Sequence, residues 1–307
     1  MPGEQELEFA VSAIESDTPV LPNMGADQAS VYTGTVQAGP IPARRRGYRP
    51  RSTRGARLIS PIIVLIAWQL THVFKLVSET KLPPPSYLVT TAYNLIFHAT
   101  PAFGSLQDAL LQSLERFALG FFIGGSIGVS LAVISALSRT GEAAVDPLLQ
   151  MVRTVPLFGL VPVFIIWFGI GVEPKIMIVA LAAAVPLYLN TYAGIRAIDG
   201  RLFELGKVLN LSRRELYKNV VFPGALPTAL VGLRQSTGAA LLALVVAEQI
   251  NASGGLGFMI NQADQFGRND VILVALLVYT ILGLLTDWIV RILERRALAW
   301  RTDLVIR

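Results

Sequence analysis

The chain has 307 residues, of which 53% are hydrophobic and 15% charged, with a mean hydropathy of +0.55 and a formal net charge of +5. It is too apolar for a soluble domain and long enough for several membrane spans. The absence of cysteine excludes disulfides and thiolate metal sites, and two histidines, His72 and His98, leave little from which to build a metal centre.

The basic balance does not point to nucleic acid, because lysines and arginines gather beside apolar runs without interleaved stacking aromatics. Residues 1–57 hold no apolar run of span length. They start acidic, with Glu4, Glu6, Glu8, Glu15 and Asp17, and finish in Arg44, Arg45, Arg46, Arg49, Arg51, Arg54 and Arg57. Such a segment reads as a disordered cytoplasmic tail whose arginines pin the first span or meet anionic lipid headgroups. It lacks the basic start and apolar centre of a cleavable signal.

A first span is expected at about 58–77, opened by Ser60-Pro61 as a cap followed by a proline at the first helical position. Residues 78–108 then read as an extracytoplasmic linker. Lys81-Leu82-Pro83-Pro84-Pro85-Ser86 is a stiff extended piece, and Leu88, Ala92, Leu95 and Ile96 mark a helix over Tyr87 to His98 lying in the interface.

Residues 109–293 form the expected transmembrane core. The second span, about 114–137, carries Gly120, Gly124, Gly128, Ala132 and Ala136 at every fourth position. That spacing puts them on one face, which can approach another helix closely, within the subunit or near a dimer interface. Asp146-Pro147 opens a third span to about 171, in which Pro156 and Pro162 are expected to kink a helix of the kind that lines a pathway. The fourth span covers about 176–195, with Pro186 and Asn190 in it. The fifth, about 227–247, holds Arg234, Gln235, Ser236 and Thr237, and Glu248 closes it. The glycine-rich run from Asn251 to Gly257 is read as a tight outer turn or a lining of the outer gate. Asp270 caps a sixth span, about 271–293, and 294–307 is a basic cytoplasmic tail. No acidic residue is read as lying mid-span. Arg234 therefore has no obvious counter-charge: either it snorkels toward headgroups or carbonyls, or it borders a water-filled path with Gln235 and Ser236 beside it.

The longest polar stretch between apolar runs, 199–226, is the most informative. Leu202, Leu205 and Leu209 share one face of a short helix. Asn210, a residue that tolerates the left-handed conformation, ends it. Ser212 and Glu215 make an S-x-x-E capping box that starts a second helix, expected to break at Phe222-Pro223. Arg139, Arg196, Arg201, Lys207, Arg213, Arg214 and Lys218 lie on the same side as the two basic termini. Only Lys81, Lys175 and Arg268 fall on the other. The positive-inside rule then puts both termini and this loop in the cytoplasm.

This loop resembles the coupling loop of the membrane subunits of bacterial ABC importers, whose pattern is E-A-A, a gap, Gly, and later a hydrophobic-Pro pair. Glu204 matches the Glu, Leu205 and Gly206 stand for the alanines, Asn210 for the Gly, and Phe222-Pro223 for the pair. The resemblance extends through SLERFALGFFIGGSIG, DPLLQMVRTVPLFGLVPVFIIWFGIG, LNTYAGIRAID, FPGALPTALVGLRQS, VVAEQINASGGLGFMI and ALAWR. Together these are similar to the permeases of the aliphatic sulfonate, taurine and nitrate branch, most of all the sulfonate permeases. The N-terminal tail is not part of that pattern.

The resemblance implies an all-α integral membrane protein of the bacterial inner membrane, with six transmembrane helices and a type I ABC importer permease core. It implies a homodimer, a cytoplasmic ATPase dimer and an extracytoplasmic binding protein as partners, membrane lipid around it, and docking of the loop residues Glu204, Leu205, Gly206, Asn210, Ser212, Glu215 and Pro223 on the ATPase. The chain has no phosphate-cradling G-x-x-x-x-G-K-[ST] and no nucleophile elbow, so no catalytic residue is expected and ATP belongs to the partner. An ion-coupled transporter or channel is the competing class. It predicts inverted repeats and intramembrane acids, neither of which is read here.

Overall fold

The computed structural model describes residues 56–98, 103–250 and 253–301. The expected tail and its arginines lie outside these residues, apart from Arg57. Within them the regular structure is helical: α1 Ala56–Val73, α2 Pro85–Phe97, α3 Leu106–Leu137, α4 Arg139–Thr154, α5 Val161–Phe168, α6 Glu173–Arg196, α7 Gly200–Val208, α8 Arg213–Gln249, α9 Leu256–Gln265 and α10 Asn269–Ala297. Helix α6 is the hub, packed along its length against α3 on one side and α8 on the other. Helices α9 and α10 close on α8, and α2 packs on α10.

Among the described residues four helices, α3, α6, α8 and α10, are long and apolar enough to cross a membrane, and α4 with α5 would make a fifth if the bent pair is one span. The six expected spans differ from this at two places. Helix α1 starts at Ala56, before Ser60-Pro61, and runs through Pro61 instead of being opened by it. Its apolar part, Ile59–Val73, falls short of the roughly 20 residues a crossing needs. The chain turns just beyond it, at Lys75, in the left-handed region (φ 52°).

The second difference is the third span, which is not a kinked continuous helix. Asp146-Pro147 lies inside α4, and the helix ends at Thr154 because Val155 precedes Pro156 and adopts the extended conformation (ψ 128°) that a following proline favours. A 3-10 turn, Leu157–Leu160, leads into α5, where Pro162 occupies the first turn and removes an N–H that would lack a helical partner anyway. The two helical pieces meet at 97°.

Helix α3 begins well before the expected 114. Ser105 caps it by accepting from the Asp108 amide at 3.1 Å. Glycines 120, 124 and 128 face α6: a Cβ at Gly120 would lie 2.7 Å from the Ile176 carbonyl oxygen and from Val179, and at Gly124 and Gly128 it would run into the backbone of Ala180 and Ala184. The small-residue face is therefore an intrasubunit seam, with α3 close against the backbone of α6 over about two turns.

Helix α2 follows an extended Pro84 (φ −69°, ψ 151°) and starts on Pro85. It does not lie apart as an isolated interfacial helix. Leu88 and Leu95 are buried in the main apolar cluster with Ala92 and Ile96 against it, and Thr91 donates to Asp270 at 2.9 Å. Asp270 is not the cap of α10. Arg268 holds that position, and Asp270 in the first turn accepts two bonds from its guanidinium at 2.8 and 2.9 Å.

Candidate functional site

The loop after α6 folds into an elbow whose joint is determined locally. Asp199 caps α7 by accepting from the Arg201 amide at 2.9 Å. Asn210 takes φ 52°, the amide of Asn210 donates to the Lys207 carbonyl at 3.0 Å, and that of Leu211 to the Gly206 carbonyl at 2.9 Å. This pair of bonds is a Schellman close, which uses up carbonyls that a helix end otherwise leaves unpaired. Ser212 and Glu215 form the capping box, with the Glu215 amide donating to Ser212 Oγ and the Ser212 amide to Glu215 Oε2 at 2.8 Å. Gly206 is the buried residue of α7, and a Cβ there would stand 2.6 Å from Leu216 Cδ1. Its small size lets α7 fold against the start of α8, so its face belongs to this chain and is not offered to a partner. What the elbow does expose is apolar: Leu205 is 54%, Leu209 62% and Val208 78% accessible, with Leu202 beside them and Glu204 also exposed.

Beyond the elbow the chain does not break at Phe222-Pro223, nor does a new helix begin at Pro227. The turn Arg213–Leu216 passes into a π-helical turn, Tyr217–Val221, and then into Phe222–Gln249. The Phe222 amide reaches back five residues to the Tyr217 carbonyl. This wider turn makes room for a proline ring that would crowd a carbonyl four residues back. The result is one helix of 37 residues, α8, about 55 Å long.

Partway along α8, Arg234 meets carboxylates that the sequence reading assigned elsewhere. Its Nε lies 3.2 Å from Asp287 and its Nη2 2.5 Å from Glu294, both on α10, while Arg291 also pairs with Asp287 at 2.7 Å. Two cations and two anions thus cancel across the α8–α10 seam, which removes most of the local field that would attract an anion to Arg234. Gln235 accepts from Asn190 of α6 at 3.0 Å. Ser236 is fully buried and its hydroxyl donates to the Leu233 carbonyl, so it lines no cavity. Pro156 and Pro162 lie by the α4–α5 bend, on an exposed stretch that includes Ile166, Trp167 and Ile170.

The far end of α8 holds a constellation that the sequence reading missed. Glu248 does not simply close a span: it is fully buried and accepts four bonds, from Arg116 Nη1 at 2.6 Å, Ser113 Oγ at 2.7 Å, Tyr279 Oη at 2.9 Å and the Gly257 amide at 3.0 Å. Arg116, 5% accessible, also donates to the Gly254 carbonyl at 2.6 Å, and Ser113 accepts from the Leu256 amide at 2.8 Å. Four helices and one turn therefore converge on a single carboxylate. Such a charge is tolerated in an apolar interior only when paired and hydrogen-bonded. The signal available in the sequence was Ser113 and Arg116 at i and i+3 on a span, with Glu248 next to a glycine run.

Residues 124–298 match the family of binding-protein-dependent transport system inner membrane components. The chain is 38% identical over 272 residues to SsuC of Bacillus subtilis, which carries the name aliphatic sulfonates transport permease protein, with 87% of this chain and 97% of that one covered. It is 32% identical to the taurine transport system permease protein TauC of Escherichia coli, over 78% of this chain and 88% of that one. Among solved structures it superposes on an amino acid ABC transporter crystallised with histidines with a TM-score of 0.55 at 18% identity, covering 68% of this chain and 98% of that chain. A relationship of this extent is one of family: the chain belongs to the binding-protein-dependent transport system inner membrane components, the permeases of ABC importers.

Proposed function

We propose that this permease moves a small organic anion, an aliphatic sulfonate, into the cytoplasm. In this reading two copies of the chain work with a cytoplasmic ATPase dimer that binds the ATP and with an extracytoplasmic protein that selects the substrate. The observation that carries the reading is the elbow, a tightly closed pair of helices on a basic segment that leaves Leu205, Val208 and Leu209 uncovered at the end of an apolar bundle. Apolar side chains held outward in water by a rigid joint are stabilised when a partner's groove covers them. The basic residues around the elbow and the termini orient this end to the cytoplasm, and the opposite end of α8 then faces outward. The choice of sulfonate follows the higher identity to SsuC than to TauC.

Val208→Asp and Leu209→Asp are expected to abolish co-purification of the ATPase while the permease keeps its thermal unfolding temperature in detergent. Retained co-purification and uptake would remove the docking reading. Uptake of a labelled alkanesulfonate by the complete system, in competition with taurine and nitrate, tests the cargo. Preferential uptake of taurine or nitrate replaces sulfonate while leaving the importer reading standing.

A further inference from the structure

We propose that Glu248 and Arg116 are positioning residues that tie the outer end of α8, together with α3, to the turn that walls the outward cavity, so that movement of the elbow reaches that turn through one continuous helix. The proposal rests on the importer reading above. It is carried by the continuity of α8 from Arg213 to Gln249 and by what is tied to its far end.

Two of the bonds in the knot go to the backbone amides of Leu256 and Gly257, at the start of α9, and one to the carbonyl of Gly254. The turn is cut to fit them. Gly255 has φ +106°, and a Cβ there would lie 2.5 Å from Glu248 Oε1 and 2.6 Å from Arg116 Nη1, while one at Gly257 would lie 2.5 Å from Glu248 Cβ. Gly255 is thus required both by its backbone conformation and by the ion pair packed against it. The same turn walls a cavity of about 360 Å³, whose polar lining includes Ser105, Asp108, Gln112, Ser253 and Gln262. Gln112 in this wall also accepts from Arg116 Nη2 at 3.3 Å.

A stability pin would need only that the charges be paired. Here the knot also holds backbone groups of the segment that borders the cavity, the Gly257 amide through Glu248 in the last turn of α8, and the Gly254 carbonyl and Leu256 amide through Arg116 and Ser113 of α3. A displacement of α8 along or about its axis must therefore carry Gly257 with it and, through the bonds of Glu248 to Arg116 and Ser113 of α3, draw on Gly254 and Leu256 as well, as long as the knot is intact.

The test uses the full chain in nanodiscs and in the assembled complex. In the chain alone, amide exchange at Leu256 and Gly257 is expected to quicken at least tenfold in Glu248→Gln. Unchanged exchange there overturns the proposal, whatever becomes of the importer reading. In the complex, Glu248→Gln is expected to assemble and to lose at least tenfold in the ratio of binding-protein-stimulated to unstimulated ATP hydrolysis. Tyr279→Phe removes one bond and no charge. It should assemble fully and lose about twofold to fivefold in that ratio, and it decides the matter if Glu248→Gln fails to assemble. Wild-type stimulation in an assembled Tyr279→Phe complex, or in an assembled Glu248→Gln complex, overturns the proposal. Should the unaltered chain fail to bind any ATPase, the importer reading falls, and the exchange result still reports on the knot.

Discussion

The two ends of α8 are built on opposite plans. At the elbow the backbone groups that helix ends leave open are answered locally, by neighbours within a few residues: by Asp199, by the Schellman bonds around Asn210 and by the Ser212–Glu215 box. At the other end one carboxylate is answered from α3 and α10 by residues far from it in the sequence, and from α9 by the Gly257 amide across the intervening turn. A joint satisfied locally keeps its shape even when its outer face is bare, which suits the docking surface proposed above. A joint satisfied mainly from other helices keeps those helices in one arrangement, and losing one member is felt by all of them.

The contrast can be broken most severely at the knot. Glu248→Ala leaves Arg116 buried without its counter-charge and should cost about 3–5 kcal/mol, read as a large fall in thermal unfolding temperature in detergent; an unchanged value would mean the pair is hydrated. Next in size is the α3–α6 seam. Gly124→Leu forces apart backbones that leave no room for a Cβ, and overpacking of about 1–3 kcal/mol or more should lower the yield of folded protein. A wild-type yield and unfolding temperature would show that α3 can pull back from α6. The elbow should answer on a smaller scale. Asn210→Val should cost about 1–2 kcal/mol from forcing a β-branched residue into the left-handed region, with Asn210→Gly close to neutral, seen as faster amide exchange confined to 206–216. Ser212→Ala removes the cap for about 1 kcal/mol and should leave the unfolding temperature of the bundle almost unmoved. The smallest effect belongs to Arg234→Gln, whose half-exposed network should contribute no more than about 1 kcal/mol. If that variant instead halts uptake in an otherwise stable complex, the cavity reading of Arg234 regains its place.

The elbow and the small-residue face were legible because they are written in short-range code. Asn210, Ser212 and Glu215 have their meaning within one or two turns, and a four-residue spacing in Gly120, Gly124 and Gly128 declares a face before its partner is known. What stayed hidden was the pairing of distant charges. Asp287 falls within the expected sixth span and Glu294 at the start of the expected basic tail, yet both reach Arg234 because α8 and α10 lie side by side. Glu248 read as a span end for the same reason, since Arg116 and Tyr279 approach it only in three dimensions. Prolines misled in both directions. Pro61, Pro147, Pro223 and Pro227 sit inside helices, each of which continues past the one bond its proline cannot make. Pro156 does end a helix, with Val155 before it in extended conformation.

The π turn at Tyr217–Val221 has a consequence for direction. An α-helix advances about 100° per residue, and a turn that closes five residues back instead of four absorbs one residue without that advance. Faces counted along α8 from Phe222 onward are therefore one residue out of phase with those counted from Arg213. The elbow points where it does because of that slip, as a hand on a clock is set by where the arbor is pinned. Pro223→Ala frees the chain to anneal into an even α-helix, and the elbow would then swing by as much as about 100° around the axis of α8 with its own two helices intact. Spin-label distances from Val208 to Leu137 would register that turn, and they would stay unchanged if packing alone, and not the proline, holds the slip in place.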